Sequence, residues 1–159
     1  MKGVLIRKGE KSDLPGIYDL IKELAKYEKA DNEVSNTLDA MEEDGFGKNP
    51  IYFFFIAENV EKKIIGMALY YFKYSTWKGR CLFLEDIIVN EKFRGIGIGT
   101  VLFQHVILQA KAEKAKRLEF QVLNWNKTAI DFYKKFDCHF DEEWINVKLT
   151  EEQIQKHPL

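Results

Sequence analysis

The chain has 159 residues, 46% hydrophobic and 14% aromatic, and its 24 basic and 25 acidic side chains leave a formal charge of -1. That length and apolar content give one domain, residues 1–159, with a sizeable core, and exclude a disordered segment. The near-neutral charge removes the broad basic surface of a nucleic-acid binder, and no apolar run approaches the ~20 residues needed to cross a bilayer, so neither nucleic acid nor membrane is expected as a partner.

In chain order, Val4 to Lys8 (VLIRK) reads as a short strand. Ser12 or Asp13 then caps a helix with Pro15 in its first turn, running to about Tyr27. Its apolar positions Leu14, Ile17, Leu20, Ile21, Leu24 and Ala25 follow the spacing of one buried face. A short helix is expected from about Thr37 to Asp44, ending at Gly45. The runs IYFFFIAE and IIGMALYYF, separated by the polar turn NVEKK, read as an antiparallel hairpin, and CLFLEDIIVN as a third strand. After a glycine-rich segment and its helix come a strand RLEFQVL, a helix NKTAIDFYKKF, a last strand around EWINVKL and a short polar helical tail. No linker or repeat divides the chain, so the expected fold is α/β (α+β), helices packed on a central mixed sheet. Cys81 and Cys138 form no CxxC pair and lie in apolar segments, which suggests neither a zinc site nor a disulfide framework and points to a reducing, cytoplasmic compartment. The N-terminal stretch MKGVLIRKGEKSD lacks the apolar core of a signal peptide, so a soluble, unprocessed protein is expected.

The segment Phe93 to Lys111 places Gly95, Gly97 and Gly99 at alternate positions after Arg94 and directly before an amphipathic helix. Backbone N–H groups at a helix start are unpaired and carry the positive end of the helix dipole, so a glycine-rich entry can wrap a phosphate. It is not a P-loop, because no Lys follows Gly99. It also departs from the dinucleotide fingerprint, whose sixth position is here Thr100.

Arg94-x-x-Gly97-x-Gly99, preceded by LEDIIVNEKF and followed by NKTAIDFYKKF, resembles the signature of the GNAT acetyltransferase superfamily. Within it, LIKELAKYEK, EDGFG, YYFKYSTWKGR, LEDIIV and LNWN resemble the diamine (spermidine/spermine) acetyltransferases, with YSTWKGR and LNWN closest to the thialysine-acetylating branch. The resemblance implies a single GNAT domain with a mostly antiparallel twisted sheet, helices on both faces and a splayed strand pair holding coenzyme A. It implies acetyl-CoA as cosubstrate, no metal, a small primary amine as acceptor, and a cytoplasmic homodimer.

The resemblance also assigns residues. Arg94, Gly95, Ile96, Gly97, Ile98, Gly99 and Thr100 would hold the pyrophosphate, the backbone of Ile87, Ile88 and Val89 the pantetheine arm, and Asn126, Ala129 and Tyr133 further parts of the cofactor. Asn126 also suits a helix cap. Amine attack on a thioester develops charge on oxygen and then on sulfur, and a positioned phenol suits protonation of the leaving thiolate, the role implied for Tyr133. The acceptor arrives as a cation with a pKa of about 10 and must lose its proton; Glu85 matches the family carboxylate that binds the amine and relays that proton through water. Tyr27, Glu28, Glu119, Phe120, Gln121 and, across a gap, Glu142 match acceptor contacts, an acidic lining able to select a cation. His105 and His139 lack partners at ligand spacing and read as structural or surface residues.

Three positions depart from the family. Ser75 replaces an acid, which favours a shorter amine. Asp137 replaces the glycine that ends the tyrosine helix, and Glu143 replaces the glycine before Trp144. Against the enzyme stand two readings: a non-catalytic acetyl-CoA sensor, which would need the glycine loop but neither Tyr133 nor Glu85, and an acetyltransferase of protein lysines, which differs only in acceptor.

Overall fold

The computed structural model describes residues 3–158; Met1 and Lys2 of the N-terminal stretch, and Leu159, lie outside the described residues. The chain divides into two compact units, Met1–Gln121 and Val122–Leu159.

In the first unit, β1 is Val4–Lys8 and α1 is Leu14–Tyr27, with a proline in its first turn. Asp13 stands at the cap position of α1 without capping it. Its carboxylate instead accepts both terminal nitrogens of Arg7, at 2.7 and 2.8 Å, and the Glu10 amide at 2.7 Å. Burial pushes the Asp13 carboxyl up, but the Arg7 and Glu10 hydrogen bonds outweigh it and leave the group below its ordinary value. Arg7 also reaches Glu58 at 2.9 Å, so one guanidinium ties β1 to α1 and to the next strand.

Helix α2, Leu38–Phe46, is capped by Thr37, whose hydroxyl accepts from the Ala40 amide at 3.2 Å. Gly45, expected to end this helix, lies inside it. A Cβ there would sit 2.6 Å from a ring carbon of Tyr52, so this glycine serves close packing rather than termination. Three long strands follow: β2 Phe53–Asn59, β3 Ile64–Ser75 and β4 Gly79–Val89. Helix α3 is Ile98–Ala112, and β5 is only Leu118–Glu119.

The sheet order is β1-β2-β3-β4-β5, antiparallel except for the parallel β4–β5 pair. Side-chain alternation sorts the core into two faces. Phe54 and Ile56 join Met67 and Ile88 in one buried cluster with Leu14, Ile17 and Leu20 of α1 and Met41 of α2. Phe55, between them in sequence, points the other way and meets His105 of α3 at 5.6 Å between rings. A Cβ on Gly66 would come within 3.2 Å of Leu102 of α3. Helices therefore cover both faces, as the resemblance implies.

Two irregularities shape β4. Leu69 pairs with Asp86 but Tyr70 with Leu84, which leaves Glu85 as the extra residue of a β-bulge. On its other side β4 pairs with β5 only at Leu82 and Phe83, so from Leu84 to Val89 the ladder to β5 is absent. The seven-residue strand expected for RLEFQVL is cut to two residues for this reason: its neighbour pairs with it no further.

In the second unit, α4 is Lys127–Lys134 and α5 is Glu151–Gln155. The strand expected around EWINVKL does not form among the described residues. Trp144, Ile145 and Val147 are 76%, 85% and 89% exposed. A β-favourable run makes a strand only against a neighbouring edge, and these residues have none in the chain as described.

Candidate functional site

The bulge puts two adjacent acids at the edge of the face that α1 covers. Asp86, opposite Leu69, points toward the α1 side, where Leu69 packs on the core cluster. Burial pushes its carboxyl up to about 6, and the negative charges of Glu85 and Glu28 push in the same direction. Glu28, just beyond the last turn of α1, is raised too, through burial. Glu85 itself is exposed, and the Tyr71 hydroxyl donates to its carboxylate; burial first, then Glu85, raises the Tyr71 phenol. Two carboxylates raised chiefly by burial, Asp86 and Glu28, with the negative charge of Glu85 beside Asp86, form a site that gains by taking up a cation.

Beyond α1 the same face continues as a shelf. Tyr71 and Phe83 are cross-strand partners with ring centroids 5.3 Å apart. Phe83 is in turn level with Glu119 on β5. The Glu119 carboxylate is ion-paired to both Lys73 and Arg117, and the Lys73 ammonium lies 5.2 Å from the centre of the Phe83 ring. The sequence reading gives Glu119 to the acceptor, but here its charge is met by two cations of the protein. Phe120 points to the opposite face, its ring at a right angle to Phe103 of α3 with centroids 5.5 Å apart. Gln121 is exposed. Ser75 closes the β3–β4 turn, its hydroxyl accepting from the Lys78 amide at 3.2 Å.

The glycine segment follows β4 directly. Gly95 and Gly97 have φ of 81° and 91°, left-handed values natural only to glycine, and nothing lies within 4 Å of where a Cβ would be. Gly97 is the N-cap of α3 and no side chain caps that end. The first helical bond runs from the Val101 amide to Gly97, so the amides of Ile98, Gly99 and Thr100 precede it. Ile98 is buried, which anchors the turn, while Ile96 is exposed. The Arg94 side chain turns back: its Nε donates to the Val89 carbonyl at 2.8 Å, one Nη is 3.6 Å from Glu23, and the guanidinium lies 5.2 Å from the centre of the Tyr27 ring. Arg94 thus braces the end of β4 against α1. Ile87, Ile88 and Val89 pair with Ala68, Met67 and Gly66 along one edge only.

In the second unit, the Asn126 side chain caps α4 by accepting from the Ala129 amide at 3.1 Å. Tyr133, four residues beyond Ala129, is 5% exposed with the Phe132 ring 5.2 Å away. Asp137 adopts φ of 56°, the left-handed turn foreseen from its replacing a glycine. Glu142 is exposed and lies outside any helix or strand.

The first unit therefore gathers Tyr27, Glu28, Glu85, Ile87 to Val89 and the loop Arg94 to Thr100 along one strand and its exit. Sequence reasoning missed Asp86, Tyr71, Lys73 and Arg117. Asp86 carried a readable signal, since it occupies an inward position in the alternation of an apolar strand; the others depend on register. A cavity of about 130 Å³ among Phe46, Tyr52, Phe54 and Tyr70 includes none of these acids. No group of three or more metal-ligating side chains occurs among the described residues, nor is any helix there long and apolar enough to cross a membrane.

The chain matches the Acetyltransferase (GNAT) family over residues 14–138. It is 41% identical over 141 residues to the thialysine N-epsilon-acetyltransferase of Bos taurus, across 84% of this chain and 83% of that one. The Sus scrofa thialysine N-epsilon-acetyltransferase is 40% identical across 98% of both chains. Among solved structures, an integron cassette protein from the mobile metagenome of V. cholerae superposes with a TM-score of 0.79 at 20% identity over 98% of each chain. An aminoglycoside N-acetyltransferase in complex with CoA gives 0.73 at 20% identity, over 92% of this chain and 94% of that one. These two likenesses establish the fold.

Proposed function

Because the chain belongs to the GNAT family of acetyltransferases and is an acetyl-CoA-dependent N-acetyltransferase, we propose that it acetylates the primary amine of a small cationic acceptor: a thialysine-like amino acid, a diamine or a polyamine. The observation that carries this reading is the run of β4 from an acidic bulge, along an edge without a β5 partner, into the glycine turn before α3. Acetyl-CoA supplies an activated acyl thioester, and the residues present fit it. With left-handed turns at Gly95 and Gly97 and open space above them, the amides of Ile98 to Thr100 would hold the pyrophosphate. The backbone of Ile87 to Val89 would hold the pantetheine arm by strand-like hydrogen bonds.

Asp86 and Glu28 would bind the ammonium group, with Tyr27 beside them. Glu85, exposed and hydrogen-bonded by Tyr71, would take the amine proton through water. Tyr133 would return a proton to the leaving thiolate, a role supported by its helix motif Asn126-x-x-Ala129-x-x-Phe132-Tyr133; Asn126 and Ala129 would contact the cofactor. Glu142, Gln121 and Phe120 have the resemblance alone behind them, and Glu119 acts through its cationic neighbours. The family match spans both units, which supports one catalytic domain. A cytoplasmic homodimer completes the reading; the exposed Trp144, Ile145 and Val147 support a partner chain.

A thiol-release assay over thialysine, diamines, polyamines and lysine peptides tests this. Turnover of a free small amine is expected. Turnover confined to peptides, or acetyl-CoA binding without turnover on any amine, would overturn it.

A further inference from the structure

The acceptor shelf is polarised, and its cationic end has no task in binding an amine. At one end stand Asp86, Glu85 and Glu28. At the other, Lys73 and Arg117 flank the single carboxylate of Glu119, an arrangement with one positive charge in excess. The aromatic floor of Tyr71 and Phe83 joins the two ends. The three side chains at the cationic end and the two of the aromatic floor share one face: Lys73 follows Tyr71 by two residues, Tyr71 is opposite Phe83, Phe83 is level with Glu119, and Arg117 precedes Glu119 by two.

We infer that Lys73 and Arg117 bind a carboxylate of the acceptor, so that the site selects a zwitterion with a remote primary amine, an amino acid rather than a polyamine. This inference rests on the small-amine reading above. Glu119 has the part of a clamp. It fixes two long, flexible cations in place before any ligand arrives, which lowers the ordering cost of binding. Arg117 meets Glu119 through Nε, and no further acceptor for its terminal nitrogens occurs among the described residues. Those two nitrogens form the planar fork that suits a carboxylate. The Lys73 and Arg117 side chains are 38% and 44% exposed, so a ligand can reach both.

The dimensions agree. Leu69, opposite Asp86, and Lys73 are four residues apart on β3, about 13 Å between Cα atoms at the usual strand rise. An extended chain of six bonds, the separation of amine and carboxylate in thialysine, spans about 7 Å and so fits within that distance. A polyamine laid along the same shelf would bring its second ammonium group against the excess positive charge, which is discrimination by repulsion.

The test compares S-(2-aminoethyl)-L-cysteine with its descarboxy analogue, bis(2-aminoethyl) sulfide, at saturating acetyl-CoA. The wild type is expected to favour the carboxylated acceptor in kcat/KM. Lys73→Met should lower that preference about tenfold, mainly through KM, and Lys73→Arg should keep most of it. Lys73→Met leaves Glu119 short of a partner, so Lys73→Met combined with Glu119→Gln removes both charges together, and the same loss of preference is expected. Thermal unfolding and acetyl-CoA calorimetry verify that each variant is folded. Wild type turning over both acceptors without preference, or a preference unmoved in both variants, overturns this inference and leaves the amine acetyltransferase reading standing. Wild type turning over neither acceptor nor any other free amine removes both.

Discussion

Asp86 on β4 and Glu28 beyond the end of α1 repel each other at the edge of the sheet face that α1 covers. Burial, the adjacent Glu85 and Glu28, in that order, push the Asp86 carboxyl from 3.8 up to about 6. An ammonium group held between these acids needs them charged. The kcat/KM for the amine should therefore carry a limb that falls as pH drops through about 6, and Asp86→Asn should lose that limb along with most acceptor affinity. A pH profile of both proteins decides; an identical acid limb in the variant would remove Asp86 from the site.

The same group predicts a stability effect of opposite sense. Because its value in the folded chain is raised, the folded state takes up a proton that the unfolded chain releases, and the stability this brings is complete below about 3.8 and lost as pH rises through about 6. At pH 7 the charged Asp86 is a strain on the fold, so Asp86→Asn should gain about 1–3 kcal/mol there and little at pH 4. Urea unfolding at the two pH values measures it. A site that weakens the fold in order to bind is a familiar trade.

Gly97→Val should leave secondary structure intact and weaken acetyl-CoA by tenfold or more. Its φ of 91° is strained for valine, and the added side chain enters the open space before the α3 amides. Calorimetry with unchanged affinity would refute the proposed cofactor loop.

Tyr133→Phe removes only a hydroxyl from a 5% exposed ring, so the ring packing survives. It should keep acetyl-CoA affinity and lower kcat by about tenfold to ten-thousandfold, the range for loss of a general acid. Turnover near that of the wild type across the pH range would reassign the residue to packing.

Asp137→Gly should stabilise the chain by about 0.5–1 kcal/mol, because a φ of 56° is easier for glycine than for aspartate. Denaturant midpoints at constant m-value measure it. A lower midpoint would mean that the aspartate side chain contributes more than its backbone costs.

What was legible in the sequence was what local pattern determines. β1 has the expected bounds because its five residues lie between Gly3 and Gly9, and α1 ends at Tyr27, two residues beyond its last apolar position, Ala25. Gly45 was misread because glycine marks both helix ends and tight packing, and only the Tyr52 ring decides between them. Residues 143–149 have the pattern of a strand, but a pattern does not supply a neighbour. The cationic partners of Glu119 are not legible in the sequence because pairing sets them: Lys73 is 46 residues away and reaches it only through the registers of β3, β4 and β5.

The bulge has a consequence in the arithmetic of the strand. With Glu85 left out, Leu84 would follow Tyr70 and Asp86 would follow Leu69 in an unbroken ladder, every other side chain on the face it has now. A chain one residue shorter would build the same sheet and bury the same core, lacking only the group proposed to take the proton. Removing any neighbour between the bulge and Val89 would instead move part of the strand's side chains to the opposite face of the sheet. In β4 the chemistry is an added letter in a word that already spelled the fold.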